Sequence, residues 1–98
     1  MEVVFLDQGW EDYLYWQSHD KKILKKINSL LKDIHRNPYD GIGSPEALKH
    51  NLSGYCSRRI TLEHRLVYRM QEGQIRVLQC RYHYWNNKYI SKVHASTL

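Results

Sequence analysis

Between positions 20 and 37 the apolar residues fall on a helical period. Ile23, Leu24, Ile27, Leu30, Leu31 and Ile34 recur at i, i+1, i+4, i+7, i+8 and i+11, one stripe of an amphipathic helix. Lys21, Lys22, Lys25, Lys26, Lys32 and Arg36 take the opposite face. Asp20 is placed to cap this helix, and Asn37-Pro38 ends it, because proline disfavours helical backbone in the residue before it. Upstream, Glu2–Leu6 is a β-branched and aromatic run that predicts a strand. Asp7 can cap a first helix, and Glu11 and Asp12 suit its positive dipole end. Trp10, Tyr13 and Leu14 form a stripe there, widened by Tyr15 and Trp16, and core packing is the expected use of all five.

After position 37 the period changes. Residues 37–54 contain Asn37-Pro38, Gly41, Gly43, Pro45 and Gly54, and read as a long loop with one helical turn at Glu46–Lys49. Three strand-like runs follow: Tyr55–Ile60, His64–Met70 and Ile75–Tyr84, the last two joined by a hairpin turn over residues 71–74. The order β-α-α-β-β-β predicts an α+β domain, two N-terminal helices packed on one face of a small, mostly antiparallel sheet. Strand alternation puts Ile75, Val77, Gln79, Arg81 and His83 on one face of the last run, and Arg76, Leu78, Cys80, Tyr82 and Tyr84 on the other. That run is expected to leave the core near Arg81. Beyond it, Trp85, Tyr89 and Val93 at i, i+4 and i+8 fit either a terminal amphipathic helix or an unstructured tail.

Composition narrows the function classes. The 98 residues allow one domain. No run approaches the ~18 apolar residues of a membrane span, and the acidic start Met1–Asp7 does not resemble a signal peptide, so a cytoplasmic location is expected. The net charge of +5 is unevenly spread. Five acids and no Lys or Arg lie in residues 1–20, and all 15 basic residues lie in the rest. A chain this basic over most of its length is a candidate for phosphate-rich partners. Cys56 and Cys80 lack zinc-site spacing and read as buried thiols, and the six histidines show no paired metal motif, so neither metal nor cofactor is expected.

The strand region carries the candidate chemistry. Residues 49–81 hold seven basic residues (Lys49, Arg58, Arg59, Arg65, Arg69, Arg76 and Arg81) against Glu63 and Glu72. Basic strands interleaved with tyrosine suit single-stranded RNA, held by phosphate contact and base stacking. Cutting RNA with side chains alone needs a base for the 2′-hydroxyl, an acid for the departing 5′-oxygen and a fixed cation for the phosphorane. A Glu, a His and an Arg could fill those roles. Taken singly, Glu46 is also an ordinary loop acid, Arg65 an ordinary salt-bridge or phosphate arginine, and His83 a surface histidine.

Several segments together resemble one family. The residues at 10–16 (WEDYLYW), 45–54 (PEALKHNLSG), 57–61 (SRRIT), 63–68 (EHRLVY) and 80–84 (CRYHY) look like the YoeB toxins of the RelE superfamily. The resemblance spans residues 1–84 and leaves 85–98 as a C-terminal extension of uncertain origin. It implies a RelE-like fold and a ribosome-dependent endoribonuclease that cuts mRNA in the decoding site, leaving a 2′,3′-cyclic phosphate. By position it implies Glu46 as general base, His83 as general acid, Arg65 as transition-state cation and Tyr84 in substrate orientation. Lys49, His50, Arg58, Arg59, Glu63 and Arg81 fall in supporting or RNA-contacting positions. The lysine face of the second helix (Lys21, Lys22, Lys25, Lys26 and Lys32) is the expected contact with small-subunit ribosomal RNA at the A site of the 70S ribosome. The resemblance further implies a YefM-type antitoxin as partner and admits a homodimer. The competing reading is a non-catalytic RNA- or ribosome-binding module of the same fold, which would need the arginines but neither Glu46 nor His83.

Overall fold

The computed structural model describes residues 1–82. Strand β1 (Glu2–Phe5) leads into α1 (Asp7–His19) and α2 (Lys21–Arg36). A long loop carries the two-residue strand β2 (Glu46–Ala47) and a 3-10 turn at His50–Leu52. Then come β3 (Cys56–Arg59), β4 (Arg65–Gln71) and β5 (Gln74–Gln79). The strands form one sheet in the order β1-β5-β4-β3-β2, parallel between β1 and β5 and antiparallel elsewhere.

Asp20 joins the helices by ending one and starting the next. Its amide donates to the Trp16 carbonyl, while its Oδ1 accepts from the amides of Lys22 and Ile23. The α2 stripe behaves as its period requires: Ile27, Leu30 and Ile34 are fully buried, with Ile23, Leu24 and Leu31 packed beside them. They meet Cys56, Ile60, Leu66, Tyr68, Ile75, Val77 and Cys80 of the sheet, so both helices cover one face. A smaller cluster of Leu48, Leu52 and Val67, flanked by Tyr55 and Leu78, lies on the opposite face beneath the 48–55 segment.

Four expectations need correction. The residue capping α1 is Leu6, with no side-chain hydrogen bond, and Asp7 is already inside the helix. Trp10 and Leu14 are exposed, because α1 approaches the sheet through Gly9, Asp12 and Trp16 instead. The contact at Gly9 is so close that a Cβ there would lie 2.5 Å from the Val77 carbonyl oxygen. The helical turn at Glu46–Lys49 is instead β2, paired with Ser57 and Cys56, and the turn is displaced to His50–Leu52. Strand pairing and burial of Leu48 override the local helical preference there.

The fourth correction concerns β5. It ends at Gln79, and a bulge interrupts its ladder with β4: Tyr68 pairs with Val77, whereas Val67 pairs with Gln79. Leu78 is the extra residue, and it shifts the phase of everything after it. Cys80 therefore joins Ile75 and Val77 against the helices, where simple alternation puts it on the other face. Both thiols are buried and unpaired, as expected. His83, Tyr84 and the 85–98 extension lie outside the described residues.

Candidate active site

The helix-free face of the sheet brings two of the expected catalytic residues together. Glu46 pairs with Ser57, Ser57 with Val67, and two residues along Arg59 pairs with Arg65. Partners across an antiparallel ladder share a face, and Val67 belongs to the helix-free cluster. Glu46, Arg59 and Arg65 therefore all point away from the helices. Strand spacing and rise put the Cα atoms of Glu46 and Arg65 about 12 Å apart on that face, with β3 between them. Glu46 and Arg59 are exposed and Arg65 is half-buried.

The turn before β4 orients Arg65. One guanidinium nitrogen (Nη1) donates to the carbonyls of Thr61 (2.6 Å), His64 (3.1 Å) and Leu62 (3.2 Å). The Thr61 hydroxyl in turn accepts from the amides of Glu63 and His64, which closes the turn. Glu63 lies exposed on this turn, and Lys49 and His50 are exposed on the loop after β2.

Residues 80–82 run alongside this turn. Asp12 Oδ2 accepts the Cys80 amide at 3.0 Å, and the Trp16 indole donates to the Cys80 carbonyl at 2.8 Å. Burial pushes the Asp12 carboxyl above its ordinary range, against the opposing pull of the Cys80 and Gln8 hydrogen bonds and of Arg81. Burial likewise pushes the Cys80 thiol up, so it stays protonated and unreactive. The Arg81 guanidinium lies 3.5 Å from the Tyr15 ring centroid and 4.7 Å from that of Tyr82, a cation–π arrangement on both sides. At Tyr82 the backbone is left-handed, with φ +67°. Its carbonyl accepts from the Arg65 amide at 3.0 Å and its amide donates to His64 Nδ1 at 2.8 Å.

Arg58, expected among the RNA-contacting residues, is a correction. It is fully buried on the helix-covered face, and all five of its N–H donors are used within the chain. They reach Asp33, Tyr68 and the carbonyls of Asn37, Asp40 and Ile42. The Arg58 hydrogen bond holds the Asp33 carboxyl below its ordinary range. Tyr68 adds a hydrogen bond to the Pro38 carbonyl, so the pair anchors the loop that leads to Glu46.

The lysines expected to meet the ribosome lie away from this face. Lys21, Lys22, Lys25, Lys26 and Lys32 are exposed on α2, in the layer that covers the other face of the sheet. His83 and Tyr84 cannot be placed, since they lie outside the described residues. Two groups of contacts carry no signal in the sequence: the Asp12–Cys80–Trp16 clamp and the acceptor His64. Sixty-eight residues separate Asp12 from Cys80, and no local period signals such a contact.

Comparison with known proteins identifies the family and the fold. The sequence profile for "YoeB-like toxin of bacterial type II toxin-antitoxin system" matches residues 5–84. The chain is 56% identical to Toxin YoeB of Escherichia coli (strain K12) over 84 residues, 86% of this chain and all of that one. It is 55% identical to Toxin YoeB of Synechocystis sp. over 84 residues, 86% of this chain and 98% of that one. Among solved structures, a YoeB/ParE toxin from Agrobacterium tumefaciens superposes with a TM-score of 0.81 at 46% identity, covering 85% of this chain and 99% of that one. A heterotetrameric YoeB-YefM toxin-antitoxin complex from Staphylococcus aureus gives 0.80 at 54% identity, covering 85% and 97%. With the family profile covering most of its length and close relatives matched from end to end, the chain belongs to the YoeB-like toxins of bacterial type II toxin-antitoxin systems.

Proposed function

We propose that this toxin is a ribosome-dependent endoribonuclease that cuts mRNA in the decoding site by acid-base catalysis. What supports the reading is the helix-free face that Glu46, Arg59 and Arg65 share, an acid and two cations on one side of the sheet. Glu46 takes the proton from the 2′-hydroxyl as its oxygen attacks the adjacent phosphorus. Arg65 stabilises the charge on the phosphorane. His83 gives a proton to the departing 5′-oxygen, leaving a 2′,3′-cyclic phosphate and a 5′-hydroxyl, and Tyr84 orients the substrate. Lys49, His50, Arg59, Glu63 and Arg81 support binding around this centre, whereas Arg58 serves the fold. The lysine face of α2 is the contact with small-subunit ribosomal RNA, so mRNA and ribosome meet opposite layers of the domain.

A carboxylate is a weak base toward a 2′-hydroxyl, so much of the rate comes from Arg65 and from positioning of the mRNA by the ribosome. The partner that holds the toxin inactive is an antitoxin of the YefM type, by analogy with the S. aureus complex, and a homodimer is consistent with the solved S. aureus YoeB dimer. Acting on ribosomes, the protein works in the cytoplasm. Among the described residues no helix is long and apolar enough to cross a membrane.

Mapping mRNA 5′-ends after induction tests the reading. Discrete cuts within translated codons, carrying 5′-hydroxyls, are expected. Stalled translation with intact mRNA would establish the non-catalytic ribosome binder instead.

A further inference from the structure

His64 is half-buried in the turn just before β4, between the helical layer and the end of the described chain. Its ring stands edge-on to Trp16, with centroids 4.8 Å apart, and its Nδ1 accepts the Tyr82 amide at 2.8 Å. That bond fixes the tautomer: Nδ1 is the acceptor, so the proton is on Nε2. Tyr82 is a non-glycine residue in the left-handed region, a conformation that persists only where the surroundings hold it. Two of the holding bonds come from adjacent residues of one turn, the His64 ring and the Arg65 amide, the second at 3.0 Å to the Tyr82 carbonyl. The next residues in sequence are His83 and Tyr84.

We propose that His64 is a positioning residue, whose neutral ring fixes the left-handed turn at Tyr82 and so sets where the chain enters the His83–Tyr84 segment. The inference rests on the nuclease reading, in which those two residues act on the substrate. It also makes the turn sensitive to protonation, because a protonated Nδ1 cannot accept the Tyr82 amide. Burial keeps the ring neutral, and Arg81 and Arg65 add to that effect against the opposing pull of Glu63. On the α1 side the ring meets the uncharged Trp16, and Asp12, one turn away, is engaged with Cys80. Acid is therefore expected to loosen the turn that neutral pH holds.

The test uses the full chain with purified 70S ribosomes carrying a defined mRNA. Asparagine can place its side-chain oxygen near the position of Nδ1, whereas glutamine reaches the position of Nε2. His64→Gln should lower the single-turnover rate at saturating ribosome about 10–100-fold while leaving the half-saturating ribosome concentration nearly unchanged. His64→Asn should restore most of the rate. The acid-side fall in the wild-type rate should also weaken in His64→Asn, which has no proton to take up at that position. By NMR at fixed pH, the Tyr82 amide should exchange slowly in wild type and His64→Asn and quickly in His64→Gln.

Equal rates for wild type and His64→Gln would overturn the proposal, as would a folded His64→Asn as slow as His64→Gln. Should His64→Gln fail to fold, identical acid limbs in wild type and His64→Asn would overturn it. If the wild type leaves ribosome-bound mRNA intact, the nuclease reading fails and the positioning role falls with it. The Tyr82 amide still reports the hydrogen bond separately in that case.

Discussion

Arg58 and Arg59 are neighbours on β3 with opposite fates. Arg58 turns toward the helices, is fully buried, and uses every donor to bind Tyr68 of β4 and to tie residues 33–42 to the sheet. Arg59 turns to the helix-free face, is exposed, and stands across from Arg65. The residue type is the same and one step of strand alternation separates a structural arginine from a candidate phosphate ligand. Charge counted along the sequence cannot tell them apart. The face of the sheet can, and it divides the molecule into a side that sets stability and a side that is proposed to do chemistry.

That division is most exposed to failure at Arg58. Arg58→Ala should destabilise the fold by about 3–4 kcal/mol, since it empties a buried site and leaves the carbonyls of Asn37, Asp40 and Ile42 without their donor. Arg59→Ala should change stability by no more than about 0.5 kcal/mol. Urea unfolding of the two variants reads the difference directly. Similar midpoints would break the comparison.

On the helix-free face the loss should appear in rate instead. Arg65→Ala is expected to slow cleavage of ribosome-bound mRNA about 10²–10³-fold, the usual effect of removing a group that stabilises transition-state charge. Glu46→Ala should cost no more than that, given the weakness of a carboxylate base. A Glu46→Ala enzyme much slower than Arg65→Ala would reverse the assigned weights and make proton removal the dominant step.

How far this division could be read in advance depends on the element. The α2 stripe and its Asp20 cap were legible because one period and one capping residue agree over four turns. The α1 face was not, because two of its three buried residues are a glycine and an aspartate, which apolar counting passes over. The phase of β5 beyond Val77 was hidden by a one-residue bulge that alternation cannot anticipate. Glu46 could be named from its motif, but not placed on the same face as Arg65. A two-residue strand inside a long loop has no period, and only its pairing with β3 reveals the shared face.

The covered side offers a test smaller than Arg58 and more local. A Cβ at Gly9 would meet the backbone carbonyl of Val77, which cannot swing aside as a side chain could. Gly9→Ala should therefore force α1 away from β5 and cost about 1–3 kcal/mol despite the higher helix propensity of alanine. A net stabilisation would mean that propensity wins and that the approach at Gly9 is slack. The comparison would then rest on Arg58 alone.

Asp12 gives the smallest expected change and the one with a defined pH dependence. Its folded pKa is raised, chiefly by burial. The folded state therefore binds this proton more tightly than the unfolded chain, and the resulting stability is fully present below the ordinary carboxylate value. It is lost as pH rises through the raised value, so ionised Asp12 costs the fold at neutral pH. Asparagine keeps an oxygen to accept the Cys80 amide and carries no charge to bury. Asp12→Asn should accordingly raise the melting temperature slightly at pH 7, and the gain should shrink toward zero as pH falls to the ordinary carboxylate value. Arg81, whose charge favours the ionised form, makes the gain smaller than burial alone would. A loss of stability at pH 7 would show that attraction to Arg81 and the charged hydrogen bond to Cys80 outweigh desolvation. The clamp on Cys80 would then depend on a charge held in the covered layer, as the anchoring of residues 33–42 already depends on the Arg58–Asp33 pair.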